Sequence, residues 1–206
     1  MPAPFQLLAS HPALDFVNTL DNRFVAGGPC ELLNEYSDLL AFAQQSALVD
    51  ARQADALMKR SESAAAAKAL RRARELREAF AAVLYATEDK DRSPPAACLE
   101  VLQRHFREAQ NHQELAWRRT GTGKDAAWQA QWHWGRFETD LELPIWALAT
   151  STMSLLTSDA MEHVHACNSE TCRWVFLDTS KNHSRRWCDM KICGNRMKAR
   201  RFQARQ

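Results

Sequence analysis

Apolar positions recur at helical spacing through the first two-thirds of the chain. After Pro29, the residues Leu32, Leu33, Tyr36, Leu39, Leu40 and Ala43 fall at i, i+3, i+4 and i+7, which predicts a one-sided helix. A longer helical pattern covers roughly 54–87 and is rich in Ala, Leu, Arg and Glu. Its apolar stripe comprises Leu70, Ala73, Leu76, Phe80, Val83 and Leu84. Arg71, Arg72, Arg74 and Arg77 beside Glu75 and Glu78 read as a solvated, salt-bridged face. Ser93-Pro94-Pro95 stops that helix and starts a third, with Ser93 as N-cap and Leu99, Leu102 and Phe106 inward. Thr120-Gly121-Thr122-Gly123 signals a turn. Beyond it, Trp128, Ala130, Trp132 and Trp134 alternate with Gln129, Gln131 and His133. This period of two predicts a β-hairpin with the segment 115–118, although Trp128 and Trp132 also suit an i, i+4 helical pair. Pro144 then opens a last helix over about 141–160, with Leu148, Leu155 and Leu156 inward.

The pattern changes after residue 160. Trp174-Val175-Phe176-Leu177-Asp178 is an aromatic, β-branched run, followed by the polar turn Thr179-Ser180-Lys181-Asn182 and a return through Arg185-Arg186-Trp187-Cys188. A hairpin between the run and the return is expected, and residues 195–205, free of Gly and Pro, read as a final helix. Two units follow: a helical domain over 1–160 and a small module over 161–206. The expected fold class is mainly α, with a multihelical N-terminal domain containing a small β-hairpin and, given cysteines at 167, 172, 188 and 193 that bracket the run and its return, a C-terminal zinc-ribbon or treble-clef-like module.

Four cysteines give that module its chemistry. Cys167, Cys172, Cys188 and Cys193 form two C-x4-C pairs fifteen residues apart, a metal-site arrangement. Four thiolates complete the tetrahedron that Zn2+ prefers and leave no position for a reacting water, so the site is structural. A rival ligand set replaces one cysteine by His163 or His165. A unit this small rarely has apolar core enough to fold alone, and one zinc per chain would supply on the order of 10–16 kcal/mol. Gly194 is expected to need a positive φ beside the sulfur, and Asn195 to cap the helix that follows. Cys30 and Cys98 stand apart and read as small buried hydrophobes.

Composition changes the picture in two ways. Of 206 residues, 46% are hydrophobic and seven are tryptophan, ample for a core. The net charge of +2 hides an asymmetry: residues 179–206 hold nine Lys or Arg and the single acid Asp189, while the rest of the chain is net acidic. Such a segment faces a polyanion. Lys181, Arg185, Arg186, Lys191, Asn195, Arg196, Lys198, Arg200 and Arg201 are the candidate nucleic-acid contacts, with Arg205 beyond them. MPAPFQLLAS lacks the basic start of a signal peptide, and the apolar stretch near 145–156 is too short and polar to span a bilayer. A cytoplasmic protein with reduced thiols and no membrane contact is expected.

The cysteine-bearing segment resembles the CGNR zinc finger. The likeness runs through Cys167-Asn168, Cys172 to Asn182, Ser184 to Met190, and Cys193-Gly194-Asn195-Arg196, the four residues that name the family. Ser169-Glu170 departs from the family's usual Pro and Asp, which alters a turn and no ligand. The earlier part resembles the ABATE domain of stress-induced transcription regulators, through Leu14-Asp15-Phe16-Val17-Asn18-Thr19 with Arg23, the helix Arg72 to Ala79, and Leu155-Leu156-Thr157-Ser158. These resemblances imply a DNA-binding transcriptional regulator and cover nearly the whole chain.

Asp15, Asn18 and Arg23 form a polar cluster in an apolar segment. They suit either an effector-binding site or a buried network tying the first turn to the core. A small-molecule-binding or RNA-binding protein with a purely structural zinc module is the alternative function. The many large aromatics would also suit a homodimer. No Gly-rich phosphate loop, G-x-S-x-G or H-E-x-x-H occurs, so the expectation is a binding protein and not an enzyme. His105 and His112, two helical turns apart, read as helix-surface residues.

Overall fold

A computed structural model describes residues 5–88, 93–121 and 126–203. In chain order its elements are α1 (Pro12–Val17), β1 (Leu20–Asp21), β2 (Cys30–Glu31), α2 (Tyr36–Gln45), α3 (Ala51–Met58), α4 (Ala64–Glu88), α5 (Ala96–Asn111), β3 (Glu114–Thr120), β4 (Ala127–His133), α6 (Leu143–Leu156), β5 (Val164–Ala166), β6 (Val175–Leu177) and α7 (Asn195–Gln203). The strands form three separate antiparallel pairs, β1–β2, β3–β4 and β5–β6. The architecture is mainly α with small hairpins, as the sequence predicts.

The core lies where α4, α5 and α6 meet α1 and α2. Helix α6 is apolar around most of its circumference, burying Leu143, Ile145, Trp146, Leu148, Ala149 and Leu155, so it runs through the interior. Helix α4 contributes Ala69, Ala73, Leu76, Phe80, Val83 and Leu84, and its alanines let neighbouring helices approach closely.

Local hydrogen-bond chemistry moves several element boundaries. Helix α2 starts at Tyr36, later than the apolar spacing implies, because the Glu35 N–H donates to the Asp38 carboxylate at 2.9 Å. The single helix expected over 54–87 is two helices. Asp50 and Gln53 cap α3 reciprocally, at 2.8 and 2.9 Å, and the Ser63 hydroxyl accepts from the Ala66 N–H at 3.1 Å to open α4. Helix α5 begins at Ala96 without a side-chain cap, so Ser93 does not play the role expected of it. Helix α6 ends at Leu156, and a short 3-10 turn over Asp159–His163 replaces its last expected turn.

The β3–β4 hairpin matches the period-two reading, running from Glu114 opposite His133 to Thr120 opposite Ala127. Thr122 and Gly123 of its turn signal lie outside the described residues. The C-terminal hairpin differs from expectation. Strand β6 pairs backward with β5, Val164 opposite Leu177 and Ala166 opposite Val175, and the first cysteine knuckle forms the connection. The return segment 185–188 is not a strand. The buried Asp178 carboxylate accepts from the Ser180 N–H at 2.9 Å and the Arg185 N–H at 2.7 Å, which gathers the segment into a loop. Burial opposes ionisation of Asp178, but these bonds prevail and hold its pKa at about 2.

The arginines of α4 do more than cover a wet surface. Arg77 is 2% exposed and bonds Glu31 at 2.7 and 2.6 Å, the Thr19 hydroxyl at 3.0 Å and Glu78 at 2.9 Å. Arg72 pairs with Glu108 of α5 and with Glu142 just before α6. His105 is likewise fully buried, with Nε2 3.5 Å from Glu75, and burial lowers its pKa. His112 stacks on Trp146 at 3.9 Å. Cys30 is exposed and Cys98 half-buried, so neither is the core hydrophobe expected.

Candidate metal centre and basic surface

Cys167 lies directly after β5, and its N–H donates to the Trp174 carbonyl at 2.7 Å, closing the first knuckle. Cys172 donates to the Ser169 carbonyl at 2.9 Å, and Arg173 turns the chain with a φ of 58°. The second knuckle enters a wide π-type turn over Met190–Gly194 that continues directly into α7. The Asp189 carboxylate caps this turn, accepting from the Ile192 N–H at 2.8 Å. Asn195 therefore lies inside a continuous helical path and is not its N-cap. Gly194 has no positive φ either. Its position is crowded: a Cβ there would run into the Met190 sulfur and lie 3.3 Å from the Trp187 ring.

The four sulfur atoms all lie within 4.8 Å of one another. Cys172 and Cys188 are 3.6 Å apart and Cys188 and Cys193 3.7 Å apart. Zn–S bonds of about 2.3 Å define a tetrahedron with edges of about 3.8 Å, so the spacing fits zinc closely. Four thiols packed this way cannot ionise together without a cation. Hydrogen bonds from Cys172 and Cys188 hold Cys167 far below the ordinary thiol range, and donating to Cys167 pushes Cys188 and Cys172 up. A divalent cation would resolve that conflict. The histidine rivals are occupied elsewhere: His163 stacks on His183 at 3.7 Å, and His165 packs against Phe176. The chain thus presents a site for a single structural zinc, formed by four cysteines.

This unit is anchored to the helical part by bonds at nearly every turn. The Asn18 amide pairs with both backbone groups of Val175, donating to the carbonyl at 2.9 Å and accepting from the N–H at 3.0 Å. Trp174 Nε1 donates to Asp21 at 2.7 Å, Tyr85 donates to the Arg173 carbonyl at 2.9 Å, and the Ala166 N–H donates to Glu88 at 2.7 Å. The Leu177 N–H reaches the Ala9 carbonyl at 2.9 Å.

The proposed effector cluster does not converge on a common ligand. Asp15 accepts from the Ala9 N–H at 2.9 Å, Asn18 serves Val175, and Arg23 pairs with Glu78. None of the three lines the 210 Å³ cavity that opens between Asp21, Trp174, Arg196 and the cysteines Cys172, Cys188 and Cys193. Burial raises the Asp15 pKa to about 6 against the opposing Ala9 and Leu8 hydrogen bonds.

Among the basic candidates, Lys181, Arg186, Lys191, Asn195, Arg196, Lys198 and Arg200 are exposed. No ion pair among the described residues engages Lys181, Arg186, Lys191, Lys198 or Arg200. Arg185 is a correction to the expected set. Its guanidinium donates to the Trp187 carbonyl at 2.8 Å and to the Cys188 carbonyl, and lies 4.5 Å over the Phe176 ring, so it braces the second knuckle. Arg196 makes one long contact, 3.5 Å to the Thr171 hydroxyl. The Arg201 side chain and all of Arg205 lie outside the described residues. Of the two readings the sequence leaves open for Asn18, its two bonds to Val175 match the buried network; that the partner lies 157 positions away had no signal in the sequence.

Two family models match the chain. The CGNR zinc finger matches residues 163–206, and ABATE, described as "Putative stress-induced transcription regulator", matches residues 10–159. No curated protein matches at a significant level. Among the described residues, no helix is long and apolar enough to cross a membrane.

Proposed function

Because the chain belongs to the ABATE family and ends in a CGNR zinc finger, we propose that it is a transcription regulator whose zinc finger binds DNA. The observation that carries this reading is the exposed cationic set Lys181, Arg186, Lys191, Lys198 and Arg200. The one acid in the same stretch, Asp189, has its carboxylate turned to the Ile192 N–H. Desolvated ion pairs do not consume these cations, so they remain available for phosphate. Zinc, when bound, ties the knuckles together and converts its binding energy into folding energy. The protein's own residues do the rest. Asp178 fixes the loop bearing Lys181, Arg185 holds the second knuckle, and the π-type turn sets the direction in which α7 carries Lys198 and Arg200. Contacts of this kind position a protein on a duplex and make affinity salt-dependent. Asn195 and Arg196 are the exposed residues at the start of α7 with the hydrogen-bonding groups to read base edges.

The reading also requires the chain to share a compartment with the chromosome, where its thiols stay reduced. It assigns binding and no catalytic step. The test is selection of genomic DNA fragments by the zinc-loaded full chain, with single-stranded RNA as competitor. Enrichment of a common duplex sequence is expected. Recovery of an unenriched pool, or efficient competition by RNA, would refute it.

A further inference from the structure

The β3–β4 hairpin carries the largest group of exposed aromatic side chains among the described residues. Neither strand contains a buried residue, in contrast to every helix from α1 to α6. The register places Leu115 opposite Trp132, Trp117 opposite Ala130 and Arg119 opposite Trp128. Directly opposed residues share a face, so three tryptophans and a leucine lie together on one side of the ribbon. Trp117 is 68% exposed, Trp128 67%, Trp132 64% and Leu115 60%. The other side carries Glu114, Arg118, Gln129, Gln131 and His133, of which Glu114, Gln131 and His133 are half-buried, so the tryptophan side is the more exposed of the two. A two-stranded hairpin is at best marginally stable in water on its own. Isolated apolar patches of this size on soluble proteins mark an interaction site.

We propose that this tryptophan face is a dimerisation surface that packs against the same face of a second copy about a two-fold axis. The area is appropriate. At these exposures the four side chains present on the order of 600 Å². Two copies would therefore remove about 1,200 Å² in total, the lower end of a specific interface. A twofold contact is self-complementary, and a flat apolar face meets that condition with itself more readily than with a charged partner. The nucleic-acid alternative fits less well. Stacking platforms for single strands flank their aromatics with rows of cations, whereas Arg119 is the one cation among the strand residues of this face. Such a dimer would form whether or not the zinc finger meets DNA.

The experiment is sedimentation equilibrium of the zinc-loaded full chain from about 1 to 100 µM. The wild type should sediment at twice the 23.5 kDa of one chain. Trp117→Lys, which enters a symmetric interface twice, should raise the dimer Kd roughly 1,000-fold. Trp132→Ser should act in the same direction, so the result does not depend on one variant's hairpin remaining ordered. Gln129→Lys on the opposite face should leave the dimer intact. A monomeric wild type across the range would overturn the proposal, as would a dimer unaffected by Trp117→Lys. Dissociation by Gln129→Lys as well would point to edge pairing and also overturn it. So would a monomer whose tryptophan emission is quenched by a short single-stranded oligonucleotide, since the face would then serve nucleic acid.

Discussion

The two larger hairpins teach opposite lessons about what holds a β-ribbon in place. The β5–β6 pair has only three residues per strand, yet Ala166, Val175 and Phe176 are buried, and Asn18 answers both backbone groups of Val175. The β3–β4 pair has seven residues per strand and buries none of them. Length does not confer stability on a ribbon; its cover does. One ribbon is covered by the chain's own helices, with cysteine knuckles immediately beside it. The other waits for a cover.

Metal removal should break this comparison most forcefully. Chelation forfeits on the order of 10 kcal/mol of zinc-coupled folding energy. Amide exchange across 179–203 should then become fast, while β5–β6, held by Asn18, Glu88 and the core, keeps much of its protection. Cys188→Ser should behave in the same way. Equal loss of protection in β5–β6 would show that metal alone is its cover. The next largest effect is expected from Asn18→Ala, which strands a buried N–H and a buried carbonyl of Val175. A loss of about 2–5 kcal/mol in denaturant unfolding is expected, whereas Gln131→Ala in β3–β4 should change stability by less than about 0.5 kcal/mol. Comparable costs for the two substitutions would erase the distinction drawn between the ribbons.

A smaller effect concerns pH. Native Asp15 keeps its proton up to about pH 6, while the unfolded residue releases it near 3.8. Between these values the native state binds more protons, so the Asp15 contribution to stability grows as pH falls from 7 toward 4. Asp15→Asn retains an acceptor for the Ala9 N–H and should remove that part of the dependence. Thermal unfolding of both proteins from pH 4 to 7 checks this, and superimposable profiles would contradict it.

Much of this organisation is written locally in the chain. Helical apolar spacing marks α4 to α6, alternation of tryptophan marks β3–β4, and cysteine spacing marks the metal site. What escaped sequence reasoning depends on contacts between distant residues. The partner of β6 is β5 because Asp178 diverts the return segment into a loop, and no periodicity encodes that choice. Arg185 looks like any basic residue until its guanidinium is found on the Trp187 carbonyl and the Phe176 ring. Arg77 and Asn18 likewise acquire their roles from Glu31 and Val175, 46 and 157 positions away.

The central claim is that a zinc-held set of exposed cations binds DNA through its phosphates, and duplex affinity across a salt series tests it most directly. For the zinc-loaded chain, with about five phosphates neutralised, log K should fall with log salt at a slope of roughly −4 to −5, and chelation should abolish binding. A flat salt dependence, or binding that survives removal of the metal, would contradict it.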